Sequence, residues 1–359
     1  MEYEEGTIPP TATPADLDTI DLDGLTAATT VTLTVNGTQL FAEELTPDTD
    51  GRIKITGLAQ LIADYLETLA PGTFAYTVTA GSETKQSGNI IYYRHRATQY
   101  IGENLNRYFL TLATNEMKTI PAAAEETLYF IPTADERTNG TNATLDILWF
   151  NTYTMECVKT TATLGTATYS GEIKRLTLHP ATLTPPTTAH RLVSIDLTLG
   201  MRRIAYLIQA DTANGAPYTC LRFRNAFNLW DTFYFYGAVD TTYKPTVSAA
   251  SFGGRYKNYN IKHEPTYTAH TGEMGRATAN LFRDLMTAKE IRRLATSDDN
   301  LTPRYETEVT LTECDYKPSN AYASSGTGTL TWREAQTGLN LSPTMPVRTF
   351  DQTFDTTFE

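Results

Sequence analysis

Reactive side chains are few and widely spaced in this chain. Its five histidines, His95, His179, His190, His263 and His270, include no pair at the i, i+4 spacing of a helical metal site and no H-E-x-x-H pattern. Cys157, Cys220 and Cys314 stand far apart without a C-x-x-C pair, which predicts reduced, buried small hydrophobes. No G-x-S-x-G elbow, P-loop or G-x-G-x-x-G occurs. Asp16, Asp18, Asp21 and Asp23 precede Gly24 much as in a calcium loop, but Ile20 and Leu22 break the ligand spacing. Asp231 is the one carboxylate nominated for a glycosidase-type pair, and an Asp opening a strand is ordinarily a turn residue. No catalytic residue, metal or cofactor is therefore expected, and the chain is read as non-enzymatic.

The most concentrated feature is Cys220–Gly237, reading C-L-R-F-R-N-A-F-N-L-W-D-T-F-Y-F-Y-G. Two strand-forming runs flank a polar break at Asn225–Asn228, so a hairpin is predicted. Its aromatics suit either a core or an interface. Arg222, Arg224, Phe227, Trp230, Tyr234 and Tyr236 are its candidate contact residues. Arg222, Arg224, Arg255 and Lys257 lie near aromatics, as in single-strand nucleic-acid binders. A net charge of −12 argues against that partner and against an anionic membrane. No run approaches the ~18 apolar residues of a membrane span.

The elements around this window are read as mainly β. Charged residues make up only 19% of the chain, and about 65 threonines fill the solvent faces that strands require. Val31–Val35 alternates, Asn36-Gly37 signals a type I′ turn, and Gln39–Leu45 returns. Leu58, Leu61, Ile62, Tyr65, Leu66 and Leu69 form one helical stripe. Further strands are expected at Tyr108–Ala113, Thr127–Ile131, Leu145–Phe150, Met155–Thr163, Ile173–Leu178, Leu192–Leu199 and Arg203–Ala210. A second helix is expected over 273–294, with Met274, Ala277, Leu281, Leu285 and Ala288 on one face.

This gives two to three β-sandwich-like domains with two inserted amphipathic helices and extended terminal arms. The expected divisions are an arm at 1–17, a sandwich with one helix at 18–96, a sandwich at 97–200, a β-rich domain at 201–343 and an arm at 344–359. The last arm repeats Thr349-Phe-Asp, Thr353-Phe-Asp and Thr357-Phe-Glu. Phe350, Phe354 and Phe358 are thus candidate anchors for docking on a neighbour. Met1-Glu-Tyr-Glu-Glu lacks the basic and apolar parts of a signal peptide, so synthesis in a cytoplasm is expected.

Arg224-Asn-x-Phe-x-x-Trp-Asp-Thr-Phe-Tyr-Phe-x-Gly237 resembles a set of phage and prophage proteins of Bacteroidales. The likeness extends to Gly254-Arg-x-x-Asn-Tyr259, Tyr267-x-Ala-His-Thr-Gly272 and Glu43-Glu-Leu-Thr-Pro-Asp-x-Asp-Gly-Arg52. The resemblance implies a virion component of tail or baseplate type, made in the host cytoplasm and joined to other virion proteins and to copies of itself. It implies no catalytic residues. A second expectation is a carbohydrate-binding or host-recognition module using Trp230, Tyr234 and Tyr236 as an exposed platform for a glycan. A tail-borne cell-wall-degrading enzyme ranks last.

Overall fold

A computed structural model describes residues 11–95, 105, 107–113, 117–140, 142–209, 218–244, 246–262, 265–294, 306–319 and 325–335. The chain is mainly β, with three α-helices among these residues and one sheet curled into a half-barrel.

The first region comprises β1 (Thr11–Ala12), β2 (Thr19–Leu22), β3 (Thr29–Val35), β4 (Thr38–Leu45), β5 (Ile53–Thr56), α1 (Leu58–Thr68), β6 (Thr73–Ala80) and β7 (Glu83–Ile91). A five-stranded sheet runs β1-β7-β6-β3-β4, and β2 pairs with β5. Asn36 and Gly37 both have positive φ, 51° and 76°, as a type I′ turn demands between β3 and β4. Val31, Leu33 and Val35 alternate inward to meet Leu58, Ile62 and Leu66 of α1. The second layer over this sheet is the β2–β5 ribbon and α1 rather than a full sheet. Gly57 gives α1 no side-chain cap, and Asp18 supplies one from outside the helix, its Oδ1 accepting from the Ala59 amide at 3.1 Å. Residues 11–17 of the expected arm are built into this core, where Ala12, Thr13 and Leu17 are fully buried.

The middle region comprises β8 (Met117–Pro121), β9 (Glu126–Phe130), α2 (Ala134–Asn139), β10 (Ala143–Asn151), β11 (Cys157–Leu164), β12 (Ala167–Ser170), β13 (Ile173–Leu178), β14 (His190–Leu199) and β15 (Arg202–Gln209). A sheet β11-β10-β14-β15-β8 faces a smaller one, β12-β13-β9. The division expected at 200/201 falls at the β14–β15 hairpin, inside one sheet. Tyr108–Ala113 is not a strand. Phe109 and Leu110 plug the interior instead, with the Leu110 amide and carbonyl bonded to Tyr129 and Asn225.

The third region comprises β16 (Tyr218–Arg224), β17 (Trp230–Tyr236), β18 (Asp240–Tyr243), β19 (Thr246–Phe252), β20 (Arg255–Lys262), β21 (Pro265–Met274), α3 (Arg276–Met286), β22 (Ile291–Leu294), β23 (Glu306–Pro318) and β24 (Gly326–Glu334). Seven strands run β17-β16-β22-β23-β24-β21-β18, and β19–β20 forms a separate ribbon inserted between β18 and β21. The helix expected over 273–294 is confined to 276–286. It closes at Thr287, and Ile291–Leu294 joins the sheet between β16 and β23. Inside the curl, Phe282 of α3 meets Phe233 and Phe235 at centroid distances of 5.5 and 6.4 Å, and Phe235 meets Trp332 at 6.2 Å. One continuous core runs from the middle sandwich into this half-barrel.

Gly328 of β24 leaves room for that helix, since a Cβ there would lie 2.4 Å from the Phe282 ring. Gly328→Ala should therefore lower stability by about 1–3 kcal/mol through overpacking, read as a reduced urea midpoint at unchanged slope.

Candidate functional site

Three polar constellations stand out, and the first lies on the surface of the half-barrel. Arg222 faces Arg292 across β16 and β22, and Arg224 faces Trp230 across β16 and β17. Strand pairing therefore aims three guanidinium groups at one indole. Those of Arg222, Arg224 and Arg292 lie 4.9, 4.1 and 4.8 Å from the Trp230 ring centroid. Like charges at such spacing need counterions between them. Glu306 accepts from Arg222 at 2.7 Å and from Arg292 at 2.9 Å, while Glu290 accepts from Arg224 at 3.3 Å and Arg292 at 2.6 Å. Burial pushes the Glu306 carboxyl up, but hydrogen bonds from Arg292 and Arg222 more than offset this and hold it below its ordinary 4.5.

The second constellation is buried where the middle sandwich meets β17. Lys118 of β8 donates to Glu126 of β9 at 2.8 Å and lies 3.4 Å from Asp231 of β17. The Thr232 hydroxyl donates to Glu126 at 2.5 Å, and the Thr111 hydroxyl donates to Asp231 at 2.5 Å. Burial pulls the Lys118 ammonium down, yet Glu126 and Asp231 outweigh it and leave it raised. Tyr206 and Tyr234 wall the site, and burial pushes both phenols well above their usual range, with Glu126 adding to both and Asp231 to Tyr206.

The third joins the first region to the rest. Asp284 of α3 is fully buried, and its carboxylate accepts from Arg94, from the Ala226 amide at 2.9 Å and at 3.2 Å from His95 Nε2. Arg94 also donates to the Asp284 carbonyl at 3.0 Å, and its own amide bonds Ala226 O at 2.8 Å. Beside this hub lies a cleft of about 500 Å³ lined by the end of α1, Tyr92, Arg94, Arg224, Asn228 and Lys289. Its cations are matched: Lys289 pairs with Glu67 and Arg224 with Glu290.

Of the residues nominated from sequence, Arg222, Arg224 and Trp230 converge. Phe227, 6% exposed, is instead packed in the junction against Tyr93 at 4.9 Å, and Tyr234, 9% exposed, faces the buried cluster. Tyr236 is half-buried at the end of β17. Phe350, Phe354 and Phe358 lie outside the described residues. Asp231 is no turn residue but a buried partner of Lys118. Cys157 and Cys314, expected inside, are exposed, and Cys220 is buried.

Lys118, Glu126, Arg94 and Asp284 were not singled out from sequence. A signal for three of them existed. Lys118 shares a strand face with Ile120, Glu126 shares one with Leu128 and Phe130, and Asp284 falls three residues after Leu281 on the apolar stripe of α3. Among the described residues no group of three His, Cys, Asp or Glu is placed to hold a metal ion, and no helix is long and apolar enough to cross a membrane.

Asp284→Ala should cost about 3–5 kcal/mol in urea unfolding, because it leaves the Arg94 charge buried without its partner. The Glu306 pairing contributes fully above that residue's ordinary pKa of 4.5 and is lost as pH falls through its lowered folded value. Urea midpoints taken from about pH 5 down to pH 2 should show this loss in the wild type and a smaller one in Glu306→Gln.

Compared with known proteins, the chain matches no protein family, and no curated protein matches it.

Proposed function

We propose that this chain is a structural component of a phage or prophage particle, of tail or baseplate type, that joins neighbouring virion proteins and copies of itself. Synthesis in the host cytoplasm followed by incorporation into the particle belongs to the same reading. The motif at Arg224–Gly237 supports it through its likeness to phage proteins, and so does the modular β architecture.

The observation that carries the proposal is the β19–β20 ribbon. Its strands pair with each other and, among the described residues, with no other strand. A lone two-stranded hairpin is marginal in water and gains stability when packed on something else. This one displays Val247, 45% exposed, and Tyr256, 83% exposed, with Tyr243, 60% exposed, at its base. Apolar side chains on a projecting ribbon suit a contact with another protein chain. The glycan-platform alternative draws less support, because Tyr234 is buried and Trp230 carries three guanidinium groups against its ring.

Light scattering of the purified chain tests the proposal, with residues 245–264 replaced by a short Gly-Ser turn in one variant and residues 344–359 removed in another. An oligomer in the full chain that loses subunits in either variant, with circular dichroism still β-rich, is the expected result. A monomer in all three forms that also fails to bind phage particles would overturn it.

A further inference from the structure

The buried cluster sets an amine against two carboxyl groups in a site largely closed to solvent. Lys118, Glu126 and Asp231 side chains are 5%, 2% and 8% exposed. Lys118 Nζ stands 3.4 Å from Asp231 Oδ1, beside the carboxyl group whose carbon it would attack, and 2.8 Å from Glu126 Oε2, within reach of proton transfer. The Tyr234 ring lies 5.7 Å from the same nitrogen. Asp231 is fixed on both oxygens, Oδ2 by the Thr111 hydroxyl at 2.5 Å and Oδ1 by the Thr232 amide at 2.8 Å. Glu126 is held at its other oxygen by the Thr232 hydroxyl. The geometry points to a covalent end state: an amide bond between Lys118 and Asp231, formed within the folded chain with Glu126 as the proton carrier.

The step is a condensation. Glu126 takes a proton from the ammonium, leaving a neutral amine beside a neutral acid. That exchange is uphill here as in water, because Glu126 and Asp231 hold the proton on Lys118, so the neutral pair is a minor state through which the condensation passes. Glu126 hands that proton to Asp231 Oδ1, the amine lone pair adds to the carbon of the now neutral carboxyl, and charge collects on Oδ2, where the Thr111 hydroxyl already donates. Oδ1 then leaves as water. The nitrogen gives up two protons in all, Glu126 passes both to the departing oxygen, and Glu126 ends as it began. One N–C bond forms, one C–O bond breaks, and no oxidant, reductant or cofactor is consumed. The product links strands from positions 113 residues apart.

Asp231 rather than Glu126 is the acceptor because its two oxygens are divided between a hydroxyl and an amide donor, as a tetrahedral adduct requires. Glu126 instead keeps one oxygen directly on the amine it must deprotonate.

Intact-mass spectrometry of the full chain, unfolded but uncleaved, tests this directly. The wild type should be lighter than its sequence mass by one water, about 18 Da. Protease digestion should release a branched peptide joining residue 118 to residue 231. Glu126→Gln, checked for folding by circular dichroism, should keep its full sequence mass. A wild type at full mass, or a missing water that maps elsewhere, would overturn the bond, and these two readings stand whether or not the variant folds. Loss of water in Glu126→Gln to the wild-type extent would overturn the role given to that residue.

Discussion

The junction between the middle sandwich and β17 is assembled around a charge, the Lys118 ammonium, that folding removes from water before the proposed amide can form. An ammonium removed from solvent is tolerable only where opposite charge and hydrogen-bond acceptors surround it in good geometry. For Lys118 that environment comes from β8, β9 and β17, whose sequence positions span more than a hundred residues. All three strands must arrive together, so the middle sandwich and the half-barrel share one core rather than two. Apolar contacts there supply most of the driving force and tolerate many packings.

Asp284 repeats the principle at the other junction. It lies buried on the apolar stripe of α3 and there meets Arg94 and His95, which follow the last strand of the first region. The same carboxylate receives the Ala226 amide, so it also fixes the turn between β16 and β17. Phe227 in that turn then packs against Tyr93 in a small cluster of its own. The aromatic hairpin is thus divided by depth. Phe233 and Phe235 fill the half-barrel, Phe227 seals the junction, and Trp230 alone is left to the surface arginines. Outside this scaffold, β19 and β20 pair with each other and, among the described residues, with no other strand.

Local pattern made much of this legible in the sequence. Asn36-Gly37, the α1 stripe and the alternation in β3 each carry their own evidence, because turn chemistry and side-chain period act over a few residues. The end of α3 was misread because Ile291-Arg-Arg-Leu294 fits a helical face as well as a strand, and only pairing with β16 and β23 decides between them. The parallel pairings of β1 with β7 and β8 with β15 are non-local in the same sense. The buried cluster was hidden for a related reason. A lysine or glutamate on an inward strand face reads as a surface residue until its partner arrives from elsewhere in the chain. Asp231 reads as a strand-opening turn residue for the same reason, since its partner Lys118 arrives from β8.

If the cluster does bind two sheets into one body, they must open together. Hydrogen exchange followed by mass spectrometry on the wild-type chain reads this by segment. Amides in β10 and β14 of the sandwich and in β16, β17 and β24 of the half-barrel should share one opening free energy and one response to denaturant. Separate opening, with one sheet exchanging while the other stays protected, would contradict the single core on which the account rests.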